Sequence, residues 1–373
     1  MNILINASNL VKGGGVQVGD AIIRELPAHP EHRYLAVCSE QVASSLGDMK
    51  DCLPDFIRFE AAPPAGKAER LLRKNAFLDR SCREFAADAV FTVFGPSYWR
   101  PPVPHLSGFA QGYHLYTDSP FYRIISMSAR LRCWILRALH LAMFRRDADV
   151  FAVESEDGAR RLRRLLPDKR IEVVSNTYNS VFDAPERWRE FKLPEFDGTT
   201  MLTISAFYPH KNLSIIRPTA EYLKLKYPNF KFRFVVTLPP ELFGFGKSDC
   251  PEWLCPIGRV DITQCPSLYQ QSDIMFLPTL MEIFSANYPE AMRMGVPIAT
   301  SDLGFARGLC GNAAVYFDPL SPQSVGDTIY RLAGDPAEQT RLIELGKQRL
   351  KTFANSAERA SAYLRILESL VGK

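Results

Sequence analysis

The chain has 373 residues, 46% of them apolar and 23% charged. That length exceeds one ordinary core and calls for about two domains, and the composition excludes a disordered or fibrous chain. A formal net charge of +4 is too small to argue for nucleic acid.

The opening run Ile3-Leu4-Ile5 has no basic start before it and reads as a buried strand, not a secretory leader. Gly13-Gly14-Gly15 follows in a loop, then an amphipathic helix over about residues 16–26. Apolar runs at 34–37, 89–93, 105–109, 150–153 and 171–174 read as further strands. Strands alternating with helices imply a parallel, doubly wound sheet. Residues 179–200 hold Pro185, Pro194 and Gly198 and read as an interdomain linker. The pattern then restarts, with strands at 201–205, 232–237, 274–277 and 297–300 and a helix over 213–227. Two amphipathic helices close the chain, parted near Ala354-Asn355-Ser356. The expected domains are residues 1–183, a linker at 184–199, residues 200–352, and a C-terminal helix at 353–373 packing back on the first domain. Two Rossmann-like α/β domains in tandem face each other across a cleft, where ligands of open parallel sheets bind.

Eight cysteines are scattered without a small-scaffold pattern, which suits reduced thiols in a cytoplasmic protein. Residues 133–144 are apolar but interrupted by Arg137 and His140, and are too short to cross a bilayer. Residues 120–170 carry twelve Lys/Arg against six Asp/Glu, with Trp134, Ile135, Leu136 and Phe144 interleaved. Two readings of that region stand side by side: a helix lying on the anionic cytoplasmic face of a membrane, and an amphipathic helix packed on its own sheet.

Glu282 lies in a loop after a strand, and Glu290 at the start of the next helix, with Pro289 in its first turn. Two carboxylates accept hydroxyl donors, and a helix start offers N–H groups to a phosphate. A ligand with sugar, ribose and diphosphate uses all three. The spacing alone fits equally well a helix cap and a solvated loop residue. Lys211 follows the first strand of the second domain and is placed to clamp a diphosphate.

The segment around these residues resembles the donor-binding region of the retaining glycosyltransferases of family 4, which have the GT-B fold. The resemblance rests on Glu282, Glu290, Ala291-Met292, Gly295-Val296-Pro297, Ser301 and the stretch from Ala313 to Pro319. It implies that Glu282 contacts donor-sugar hydroxyls, Glu290 the ribose, and Lys211 the diphosphate. Phe284, Ser285 and Ala286 would shape the backbone beside the phosphate, and Arg259 and Val260 lie where the base is bound. Gly14 and Gly15 would line the acceptor side with Tyr98. His114 is the candidate functional residue after its strand, with Gln111 as the rival.

The sequence departs from the family pattern at three points. Ile283 stands where Gly is common, Ala206 where many members have Arg, and Gly308 where a further Glu is usual. The activity implied is transfer of a sugar, with retention, from a nucleotide-sugar co-substrate to a glycan or lipid-linked acceptor in cell-surface polysaccharide synthesis. The resemblance implies no cofactor, no obligatory metal and no dedicated protein nucleophile. A nucleotide-sugar epimerase or phosphorylase, or a non-catalytic binding subunit on the same fold, are the rival readings.

Overall fold

The strand-forming runs are apolar on both faces, as a parallel sheet covered by helices on both sides requires. The computed structural model describes residues 1–63, 75–246 and 249–372 and forms two compact units. The first comprises Met1–Leu115, Ser126–Asn176 and Ala354–Lys373. The second comprises Tyr116–Ile125 and Thr177–Phe353.

The first unit is built on strands β1 (Asn2–Ala7), β2 (Arg33–Cys38), β3 (Ile57–Ala61), β4 (Ala89–Thr92), β5 (His105–Gly108), β6 (Val150–Val153) and β7 (Arg170–Val173). All pair in parallel, in the order β3-β2-β1-β4-β5-β6-β7. The chain winds outward from β1 through β2 and β3, then returns to β4 and winds the other way. The switch therefore lies between β1 and β4. One face of this sheet is closed by the C-terminal helix Ser356–Val371, whose Tyr363, Leu364 and Leu367 enter the core with Ile3, Ile5 and Phe91. The Phe91 and Tyr363 rings lie 4.4 Å apart. Arg359 of that helix is buried and donates to the Asn176 side chain.

The second unit carries β8 (Thr199–Thr203), β9 (Phe232–Val236), β10 (Leu254–Pro256), β11 (Ile274–Leu277), β12 (Ile298–Ser301) and β13 (Val315–Phe317). They too are parallel, in the order β10-β9-β8-β11-β12-β13, with the switch between β8 and β11. Side chains reinforce the centre. Thr203 Oγ1 donates to Phe276 O at 2.6 Å, and Thr300 Oγ1 to Leu277 O at 3.0 Å.

Several boundaries differ from those the sequence suggests. Residues 116–125 fall within the stretch expected to form the first domain, yet they group with the second unit. Ser119 Oγ donates to Leu280 O at 2.6 Å, and the Tyr116 ring stands edge-on to Phe305 at 6.0 Å. The expected linker is a strap fixed to the second unit. Arg189 N donates to Thr263 O, Phe191 N to Ser267 Oγ and Leu193 N to Gln271 Oε1, at 2.9, 3.2 and 3.0 Å. Strands β3, β10 and β13 have no counterpart among the expected elements, and each is a sheet edge.

Gly108 shows how closely the first sheet is packed. A Cβ there would lie 1.9 Å from Val93 O. Gly14 has nothing within 4 Å of its would-be Cβ. Gly108→Ala is therefore expected to cost more than about 3 kcal/mol and Gly14→Ala less than about 1 kcal/mol, read by thermal unfolding of the purified variants. Equal midpoints for the two would contradict this packing.

Candidate functional site

In a doubly wound sheet, the loops at the carboxyl ends of the two strands flanking the switch lead off to opposite faces, and ligands bind there. In the second unit those loops follow β8 and β11. The first carries Lys211 and the second Glu282. The two loops are clasped together through one carbonyl. His210 O accepts from Leu280 N at 2.7 Å and from Thr279 Oγ1 at 3.1 Å.

The clasp brings two predicted residues into contact. Lys211 Nζ and Glu282 Oε1 form a hydrogen-bonded ion pair, with side chains only 15% and 12% exposed. Thr279 Oγ1, whose proton goes to His210 O, lies 3.3 Å from the same carboxylate oxygen. The family resemblance implies separate ligand groups for the two residues; here each is the other's partner. Lys211 also stands ahead of the helix rather than on its first turn. The chain makes a short turn at Pro209–Lys211, takes a left-handed residue at Asn212 (φ 56°), turns again at Leu213–Ile215 and only then starts the helix Ile216–Lys226. Asn212 is pinned by its side-chain N–H to Pro319 O at 2.7 Å. His210 stacks on Tyr208 with ring centroids 5.5 Å apart, and burial pushes its imidazole down to about 4.

The helix after Glu282 runs from Asn287 to Met294. Asn287 Nδ2 donates to Ile204 O at 2.9 Å, tying the helix start to the loop after β8. Ser285 is buried and donates to Asn287 Oδ1 at 3.3 Å. Ala286 immediately precedes the helix, and its carbonyl accepts from Glu290 N at 2.9 Å. Phe284 does not point along this line; its ring stands edge-on to Phe353 at 5.8 Å. Ile283 is buried.

Glu290 lies in the first turn of the helix and is 7% exposed. Tyr269 Oη donates to its Oε2 at 3.0 Å. Burial raises the carboxyl to about 7, against which the Tyr269 hydrogen bond acts in part. Nothing in the sequence singles out Tyr269; its position in the helix Cys265–Gln270, with an ordinary packing spacing, carries no signal. That helix is reached through a capping box of Asp261 and Gln264. Arg259 is exposed in the loop before it, next to Val260; the Thr263 hydroxyl and N–H hold the Asp261 carboxyl below its usual value, with Arg189 and Arg259 adding to the effect.

The first unit repeats the arrangement at its own switch. Gly14 and Gly15 open the helix Gly14–Glu25 after β1, and Gly13 takes a positive φ of 67° at its cap. Tyr98 follows β4, in a left-handed conformation with φ 53°. Asn9 Nδ2 donates to Phe94 O at 2.6 Å and so joins the two loops. Gln111 Nε2 donates to Gly95 O at 3.4 Å. His114 is buried, with Nε2 3.0 Å from His140 Nδ1, and His140 Nε2 is 3.4 Å from Tyr98 Oη. Burial, then the neighbouring His140 and Arg137, push His114 down to about 4. It is neutral at physiological pH, and its buried Nδ1 has no hydrogen-bond partner among the described residues. His140 was read in the sequence only as a break in an apolar run. The structure makes it the link between Tyr98 and His114.

Asp147-Ala148-Asp149 has the spacing of a metal-binding pair but sits at the amino end of β6. Asp147 pairs with Arg146, and Asp149 Oδ2 accepts from His105 N at 2.9 Å. Among the described residues no three His, Cys, Asp or Glu side chains gather as metal ligands.

Residues 251–349 match the family described as Glycosyl transferases group 1. The match takes in Arg259, Val260, Glu282, Phe284, Ser285, Ala286 and Glu290; Lys211 lies before it. No curated protein sequence matches the chain. Solved structures do. Sucrose-phosphate synthase from Thermosynechococcus elongatus is 14% identical with a TM-score of 0.69, covering 100% of this chain and 99% of its own. A glycosyltransferase from Rickettsia africae is 13% identical with a TM-score of 0.68, covering 99% and 98%. Anabaena HepE, solved in complex with UDP and glucose, is 14% identical with a TM-score of 0.67, covering 99% and 100%. The fold is GT-B.

The buried Glu290 gives a pH signature. At about pH 4.5 and below, the carboxyl is protonated both folded and unfolded, and its burial costs little. As pH rises toward about 7 the unfolded chain ionises first, so the folded state binds more protons and loses stability. Glu290→Gln keeps an acceptor for Tyr269 and cannot ionise. Relative to wild type, its melting temperature should be unchanged near pH 4.5 and higher near pH 8, by roughly 1–3 kcal/mol of stability. A pH-independent difference would mean that the carboxyl ionises freely.

Proposed function

We propose that this chain is a retaining glycosyltransferase that moves a sugar from a nucleotide-sugar donor to a glycan or lipid-linked acceptor. The observation that carries the reading is the Lys211–Glu282 pair at the carboxyl edge of the second sheet, beside the switch between β8 and β11. A cation and a carboxylate adjacent to one another suit a ligand with an anionic diphosphate next to a polyhydroxylated ring. Lys211 takes the diphosphate and balances the charge that develops on the leaving nucleotide. Glu282, freed from the lysine, accepts from the sugar hydroxyls. Glu290 accepts from the ribose. The first-unit side chains His114, Gln111 and Tyr98, with the Gly14-Gly15 turn, serve the acceptor. We place the enzyme on the cytoplasmic side, in synthesis of a cell-surface polysaccharide such as O-antigen, capsule or lipopolysaccharide; the free thiols of all eight cysteines are in keeping with a reducing compartment.

The reading assigns no resident metal or cofactor. The HepE complex with UDP and glucose makes a uridine diphosphate sugar the first donor to try. A thermal-shift panel of nucleotide sugars identifies the donor, because a ligand that binds only the folded state raises its stability by mass action. With that donor, Glu282→Gln and Lys211→Ala should each lower transfer by about 100-fold or more while the folded state persists. Wild-type turnover in either variant rules out the assignment. Donor alone, with no acceptor, should return its sugar unchanged; a changed sugar would point to an epimerase.

A further inference from the structure

The helix Met127–Asp147 is turned inside out. A surface helix ordinarily hides its apolar stripe against the core and shows its charges to water. Here only Phe144 and Asp147 of its 21 residues are buried. Phe144 anchors it in an aromatic cluster with Phe109 and Phe151, at ring distances of 4.7 and 5.7 Å. The side facing the protein is polar. Arg137 Nε donates to His114 O at 3.0 Å, and His140 Nδ1 lies 3.0 Å from His114 Nε2. The side facing away is apolar. Met127, Leu131, Trp134, Ile135 and Leu139 are 74, 63, 50, 52 and 45% exposed. Their spacing puts them on one stripe of a helix.

Charge decides what can cover that stripe. From residue 119 to residue 146 there is no Asp or Glu, and six arginines fall in the interval. Arg132 flanks the stripe and is exposed; Arg145, also exposed, lies 3.3 Å from Asp168 as an ion pair. A second copy of the chain docking through the same face would, by two-fold symmetry, bring arginines toward arginines, with Asp168, already paired to Arg145 at 3.3 Å, the nearby carboxylate. An anionic lipid surface answers both features: headgroup phosphates meet the arginines while the stripe enters the acyl boundary. Trp134 sits mid-stripe, the residue type favoured at that depth. Among the described residues no helix is long and apolar enough to cross a membrane, so the contact is one of lying on the surface.

We propose that the outward face of Met127–Asp147 is a membrane-docking surface for anionic phospholipid. It stands apart from the transfer reaction and needs neither donor nor acceptor. The test is co-sedimentation of the full chain with vesicles of phosphatidylcholine alone and with about 30% phosphatidylglycerol. Binding is expected to the second and not the first, to fall as salt is raised, and to shift the emission of Trp134 to the blue. Leu131→Glu with Ile135→Glu should lower vesicle binding more than about tenfold, and Arg132→Ser about fivefold. All three positions are exposed, so the melting temperatures should match wild type, and sugar transfer to a soluble acceptor should persist. No binding to anionic vesicles at low salt overturns the proposal. So does a dimer in sedimentation analysis that Leu131→Glu splits, which would make a second copy the occupant.

Discussion

The carbonyl of His210 accepts two hydrogen bonds from the neighbouring loop, from Leu280 N and Thr279 Oγ1. Much of the second unit's site follows from that clasp. The loops after β8 and β11 lead to helices on opposite faces of the sheet, and nothing in the sheet ladder holds them together beyond their strands. With the carbonyl shared, Lys211 and Glu282 are forced to meet although 71 residues separate them. The same loop is steadied from its other side by Ser119 Oγ, which donates to Leu280 O. This contact draws residues 116–125 into the second unit, although their neighbours on both sides belong to the first.

The sequence carried the interior of both sheets more clearly than their rims. Runs such as Ile3-Leu4-Ile5 and Ile274–Leu277 are buried on both faces, and burial on both faces demands an unbroken apolar stretch. Strands β3, β10 and β13 are edges, half covered; charges interrupt IRFEA, a proline ends LCP, and VYF is only three residues long. No periodicity announces so short an edge. The strap at 184–199 misled for a related reason. Its prolines and charges look like a free linker, but its backbone groups bond to Thr263, Ser267 and Gln271, and a backbone partner leaves no mark on composition.

Within the site, identity was easier to read than environment. The order of strand, loop and helix put Glu282 in a loop and Glu290 at a helix start, as the structure has them. What surrounds them depends on residues distant in sequence. Tyr269 and the burial that raises Glu290 belong to another helix, and the chain of contacts from Tyr98 through His140 to His114 spans three elements. In the sequence His114 and Gln111 stand as rivals, and nothing there links either to His140. In the structure Gln111 is tied to a backbone carbonyl, whereas His114 carries an unpaired buried Nδ1. A buried acceptor or donor left unpaired costs free energy, which a water or a ligand would relieve.

The same consideration bears on the missing arginine. Ala206, exposed after β8, leaves Lys211 as the cation that this loop contributes beside Glu282. Paired, Lys211 and Glu282 carry no net charge, so an incoming diphosphate gains little from long-range attraction and must compete with Glu282 for the ammonium. On the proposed reading that competition has a use. A nucleoside diphosphate without its sugar displaces Glu282 and leaves the carboxylate, 12% exposed, with fewer donors than it had. A nucleotide sugar supplies hydroxyls to that carboxylate as it takes the lysine. The ion pair thus favours the intact donor over the spent nucleotide, since leaving a mostly buried carboxylate short of partners costs about 1–3 kcal/mol. Product release would be helped by the same term, with Lys211 returning to Glu282 as the diphosphate departs.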